Sequence, residues 1–209
     1  MASKRAKGRG TTRRQFLTGV TTALAGAAMT GRGILDPSAG EQRGVSRILG
    51  PGKVDITLVV NGQSRPLSLE PRATLLDALR EELQLTGAKS VCERGQCGAC
   101  TVHLDGEARY ACLTLAVEAA GKKVTTIEGL AADGALHPLQ QAFVEKDGLQ
   151  CGFCTPGQVM AAAALLAKNP RPSLEEIRDG LAGNTCRCGA YPKIFEAVIS
   201  AATRMKGKG

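Results

Sequence analysis

The chain is predicted to be α+β: a small mixed sheet wrapped on one helix, followed by a bundle of four short helices. Three observations predict it. "VDITLVV" alternates and runs into Asn61-Gly62, a hairpin signal ahead of a second strand "SRPLSLE". From about Leu130 onward the apolar residues recur at helical spacing. The eight cysteines divide into two sets of four, one in each half.

The elements follow in order. Residues 52–128 form the first module and residues 129–206 the second. Thr74 opens "LLDALREELQL", with leucines at positions 75, 76, 79, 83 and 85 on a helical pattern. A cysteine-rich loop comes next, then a strand "CTVHL", a turn at Asp105-Gly106, a short strand "EARYAC" and a last strand "KKVTTIEG". In the second module "HPLQQAFVEKDG" has Pro138 near its start and Gly148 past its end. Thr155-Pro-Gly-Gln158 reads as a capping box opening "VMAAAALLAKN", and Ser173-Leu-Glu-Glu176 as another opening "LEEIRDGLA". "PKIFEAVISAATRM" is expected to place Ile194, Phe195, Val198, Ile199 and Ala202 on one face. Four such helices with small residues suit a compact bundle.

Residues 1–30 read as an export signal: a basic stretch, then "TTRRQFLTGV", then the mild apolar run ending in small residues. Arg13 and Arg14, followed by Phe16 and Leu17, resemble a twin-arginine (Tat) signal, with cleavage expected near Ala25 to Ala28 and a periplasmic destination. Its apolar run is too short for a comfortable membrane span. Residues 31–51, rich in Gly and Arg, are expected to be a flexible linker.

Composition narrows the function. The net charge of +8 is concentrated in residues 1–50, where nine basic residues face two acidic ones; the rest carries 18 basic and 17 acidic side chains. Basicity therefore belongs to the leader, and nucleic acid is not an expected partner. Aromatics make up 3% and Trp is absent, so no stacking platform is evident. The two histidines, His103 and His137, are far apart, which argues against a His-based nucleophile pair. Glu145, Asp147 and Glu175 show no acid–base spacing; Arg94 and Arg187 either balance charge between cysteines or are solvated. His103 reads as a strand residue, and Lys122 and Lys123 as a solvated turn.

Cys92, Cys97, Cys100 and Cys112 follow C-x4-C-x2-C-x11-C. Cys151 and Cys154 form a C-x2-C, completed after thirty-one intervening residues by the C-x-C of Cys186 and Cys188. Disulfides suit an exported chain with an even cysteine count, but Cys186 and Cys188 are too close to pair comfortably. Zinc could close the second set as a tetrahedral site and explains the first poorly. An iron–sulfur cluster explains both. The first spacing is the plant-type ferredoxin pattern, three thiolates from a loop and a fourth from a strand beyond. A cluster of this kind is anionic, and Gly95 and Gly98 let the loop's amides turn inward as a nest. Cys154 precedes one helix start and Cys188 another, whose dipoles favour negative charge by about 0.3–1 kcal/mol each. A Rieske centre would need histidine ligands that this spacing lacks.

On "CERGQCGACTV", "QCGFCTPGQVM" and "GNTCRCGAYPKI", in that order, residues 52–206 resemble the small iron–sulfur subunit of the molybdenum hydroxylases, the xanthine dehydrogenase and aldehyde oxidoreductase family. The resemblance implies a β-grasp [2Fe–2S] ferredoxin domain followed by a four-helix-bundle domain holding a second [2Fe–2S] cluster. It implies an electron relay without a substrate site of its own. A large partner subunit carries molybdopterin and oxidises an aldehyde or heterocycle. Electrons then pass singly through the cluster on Cys151, Cys154, Cys186 and Cys188 to that on Cys92, Cys97, Cys100 and Cys112. An FAD subunit, or an external acceptor such as a cytochrome, receives them. Gln150 matches the glutamine that contacts the pterin, although by itself it reads as a surface amide, and Cys188 matches the ligand near the pterin edge. One departure is Gly189-Ala190, where the family commonly has Thr-Gly, so a hydroxyl donor is lost. A zinc-binding structural protein and a free-standing ferredoxin-like carrier are the alternatives.

Overall fold

The structure is a computed structural model that describes residues 49–131 and 134–205. The predicted export signal and most of the predicted linker lie outside the described residues. Strands β1 (Val54–Val60) and β2 (Gln63–Leu69) form a seven-residue antiparallel hairpin, closed by Asn61 and Gly62 at positive φ. Strands β3 (Thr101–Leu104), β4 (Glu107–Tyr110) and β5 (Lys123–Thr125) complete a five-stranded mixed sheet in the order β2-β1-β5-β3-β4. Only the β1–β5 pairing is parallel. Pro66 sits within β2, an edge strand, and the ladder to β1 runs through its pairing with Thr57.

The helix expected after Thr74 is broken. Thr74 caps it as predicted, its hydroxyl accepting from Asp77 N and the Asp77 carboxylate accepting from Thr74 N. The α-helical part, α1 (Leu75–Asp77), gives way to a π-helical turn over Ala78–Glu82, and Gln84 takes positive φ. The helix and the widened turn together present Leu75, Leu76, Ala78 and Leu79 to the sheet, where they meet Leu58, Val60, Val102 and Val124. A short helix absent from the sequence reading, α2 (Ala116–Ala119), buries Ala116 and Ala119 on the same core. It is set by long-range bonds: Leu75 N donates to Thr114 O, and Ala116 N to Ala73 O.

Four helices make the second half: α3 (Pro138–Glu145), α4 (Thr155–Lys168), α5 (Leu174–Gly180) and α6 (Tyr191–Met205). Ser173 and Glu176 cap α5 reciprocally, as their spacing predicts. The expected box at Thr155 does not form. Cys154 is the N-cap of α4 with no side-chain cap bond, and Gln158 turns instead to the Asn184 carbonyl. The buried face of α6 is Ile194, Ala197, Val198 and Ala201, while Ile199 is exposed. The i, i+3, i+4, i+7 row through the two small alanines lets α6 approach α3 closely, so the apolar face is rotated from the one expected.

Candidate metal centres

Three cysteines of the first set, Cys92, Cys97 and Cys100, are carried by the loop between the π-turn and β3. Arg80 Nη1 holds the approach to this loop, donating to Thr86 O at 3.0 Å and Ala88 O at 2.9 Å. The loop then coils through three left-handed residues, Glu93 (φ 53°), Gly95 (φ 69°) and Gly98 (φ 69°). Those turns aim amides at sulfur. Gln96 N–H donates to Cys92 Sγ at 3.4 Å, and the backbone amides of Arg94 and Cys97 also serve Cys92. Led by the Arg94 amide, they hold the half-buried Cys92 thiol down at about 6. Cys100 is buried, and desolvation pushes its thiol up to about 12. Cys112 is not on a strand as expected. β4 ends at Tyr110, and Cys112 lies in the following 3-10 turn, Ala111–Leu113. Ala111 N donates to Cys100 O, which brings the two cysteines together.

The glycines act differently from one another. A Cβ on Gly95 would come within 2.2 Å of Leu113 Cδ1. A Cβ on Gly98 would strike Gly183 O at 2.5 Å and Asn184 Nδ2 at 2.6 Å. Gly98 therefore clears space for the helical half of the chain as well as turning the loop.

The second set gathers at the start of α4 and the turn before α6. Cys154 is pushed up to about 12 by desolvation, while Cys151, exposed, is lowered chiefly by the Phe153 amide and next by Cys188. Tyr191 Oη accepts from Cys186 N at 2.8 Å and ties the ligand turn to α6. Gly189 N donates to Cys186 O, and Gly189 has φ +73° with nothing within 4 Å of a built Cβ. At that left-handed angle a glycine is unstrained, whereas a β-branched residue is strained.

Both sets share one arrangement. The thiols meet in twos: Cys92 with Cys97 and Cys100 with Cys112 in the first, Cys151 with Cys188 and Cys154 with Cys186 in the second. In each, one pair lies toward the surface, and the other is more enclosed. Among the described residues no three His, Cys, Asp or Glu side chains converge as ligands of one ion. Two pairs side by side instead fit a rhomb of two metals, each taking two thiolates. All eight cysteines are free thiols.

Gln150 is exposed and directly precedes exposed Cys151. His103 is on β3, with Nε2 2.7 Å from Met160 O on α4. His137 caps α3 through Nδ1, accepting from Leu139 N. Sequence reading missed Thr101, Tyr110, Gln158 and Asn184, which join the two cysteine-bearing segments. Their only sequence signal is position: Asn184 stands two residues before Cys186, and Thr101 follows Cys100.

Residues 58–126 match the "2Fe-2S iron-sulfur cluster binding domain" family and residues 126–199 the "[2Fe-2S] binding domain" family. The chain is 46% identical over 171 residues to the aldehyde oxidoreductase iron-sulfur-binding subunit PaoA of Escherichia coli O157:H7, covering 75% of each. It is 48% identical over 156 residues to the nicotine 6-hydroxylase small subunit of Paenarthrobacter nicotinovorans, covering 75% of this chain and 94% of that one. Among solved structures, the aldehyde oxidoreductase of Desulfovibrio gigas superposes with a TM-score of 0.70 at 45% identity, over 75% of this chain and 18% of that one.

Proposed function

Because the chain belongs to the small iron–sulfur subunits of the molybdenum hydroxylase family, we propose that it relays single electrons from a molybdopterin-bearing partner to an acceptor. The observation that carries this reading is the two-plus-two meeting of thiols in both cysteine sets. Cys92, Cys97, Cys100 and Cys112 would hold one [2Fe–2S] cluster, and Cys151, Cys154, Cys186 and Cys188 the other. When bound, each cluster supplies a one-electron store.

The chain's own residues do the rest. Amides of Arg94, Gln96 and Phe153 stabilise negative charge on the outer thiolates. Burial of Cys100, Cys112 and Cys186 keeps solvent from the inner ones. In Desulfovibrio gigas the matching region is 18% of a longer aldehyde oxidoreductase. Here the molybdopterin belongs to a separate large subunit, which Gln150 and the exposed Cys151–Cys188 edge would face. The acceptor is an FAD subunit or a cytochrome. Arg13 and Arg14 would send the loaded chain through the Tat machinery to the periplasm, and Arg13→Lys with Arg14→Lys is expected to retain it in the cytoplasm on fractionation.

The test is metal analysis and EPR of the dithionite-reduced protein, isolated with its partners. About four irons and four labile sulfides per chain with two rhombic signals are expected. Colourless, zinc-containing protein would establish a structural zinc protein instead. Purification without a molybdenum-containing chain would leave a free-standing carrier.

A further inference from the structure

We infer that Asn184 is a positioning residue for electron transfer between the two clusters, fixing one ligand loop against the other; this rests on the ligand assignment above. Asn184 is only 5% exposed, two residues ahead of Cys186. Its Nδ2 donates to Gly98 O at 2.9 Å, inside the loop between Cys97 and Cys100, and to Thr101 Oγ1 at 3.2 Å. Thr101 Oγ1 donates in turn to Gly98 O at 2.6 Å. The backbone carbonyl of Asn184 accepts from Nε2 of Gln158, which is fully buried on α4 four residues after Cys154. Beside this knot, Thr185 N donates to Cys97 O at 2.9 Å, so one hydrogen bond joins the residue before Cys186 to Cys97 itself.

The packing admits little slack. Gly157 on α4 lies so near that a Cβ would come within 2.3 Å of Gly98 O, and one on Gly183 would reach Tyr110 Oη at 2.1 Å. Glycines at 98, 157 and 183 let the segments touch, and the Asn184 amide sets their register. The side-chain Nδ2 of Asn184 donates to two buried acceptors while its backbone carbonyl is held by Gln158, and any slip would leave these polar groups unpaired out of water. Electron tunnelling depends steeply on separation and on the bonds between centres, so a residue that fixes the two loops fixes the rate.

The experiment uses the intact complex bearing Asn184→Ala. Iron content and the two reduced-state EPR signals are measured first, because their loss in unmodified protein would refute the ligand assignment itself. With both clusters present, the variant is expected to show an altered spin–spin splitting between the reduced clusters. Transfer between them, timed after a reducing pulse, is expected to slow several-fold. A lower melting temperature with splitting and rate unchanged would overturn the inference, because Asn184 would then only bind the halves together. Should Asn184→Ala not accumulate, Thr101→Val removes one acceptor and one donor of the same knot. The splitting is expected to shift there too, and an unchanged value overturns the inference equally.

Discussion

At the scale of single residues, left-handed backbone is needed for different reasons at different glycines. Gly152 (φ +79°) and Gly98 (φ +69°) share a conformation, but a Cβ at Gly152 meets open space and one at Gly98 meets Gly183 O. Alanine at either pays the left-handed penalty, about 1–2 kcal/mol. Gly98→Ala must in addition push the Gly183–Asn184 segment away. Chemical denaturation is therefore expected to rank Gly98→Ala as clearly more destabilising than Gly152→Ala, with iron loss in the former alone. Equal costs would show that the segment moves aside freely. Asn184 belongs to the same scale: a single amide that only the folded arrangement reveals as a meeting point.

At the scale of elements, α3 is a helix whose start depends on protonation. His137 Nδ1 accepts from Leu139 N, so it caps only as the neutral ring, and burial lowers its pKa below the ordinary 6.5. The unfolded chain takes up this proton more readily than the folded one. The contribution is thus present above pH 6.5 and is lost as pH falls toward the folded value. His137→Asn, which caps without titrating, is expected to flatten the dependence of stability on pH between 7 and 5. Parallel slopes for the two proteins would show that His137 is not the group responsible.

The elements also show what a linear reading can reach. The β1–β2 hairpin was legible because Asn61-Gly62 and strict alternation are local signals, and so was the cap of α5 at Ser173. The π-turn at Ala78 was not, since the leucine spacing reads as helix whether Leu83 N bonds to Leu79 O or, as here, to Ala78 O; nor was α2, which Thr114 and Ala73 set from either side of a long gap. The box at Thr155 failed because Gln158 found a buried carbonyl twenty-six residues away. Both cysteine sets were visible from spacing, but their assembly in twos, and the placement of Cys112 in a turn, required the folded chain.

At the scale of the whole molecule, two separate apolar cores each carry one cysteine set. One centres on Leu58, Leu79 and Val102, the other on Phe143, Val159 and Ile194. Replacing Cys154 and Cys186 together by serine is expected to lower iron from about four to about two per chain while sparing the ferredoxin-type signal. Loss of both signals would mean that neither half holds its cluster without the other.

β2 closes one margin of the sheet, and Pro66 interrupts its outward row of amide donors beside exposed Arg65. A stray strand seeking to extend the sheet would find a donor missing and a positive charge alongside, which discourages edge-to-edge aggregation.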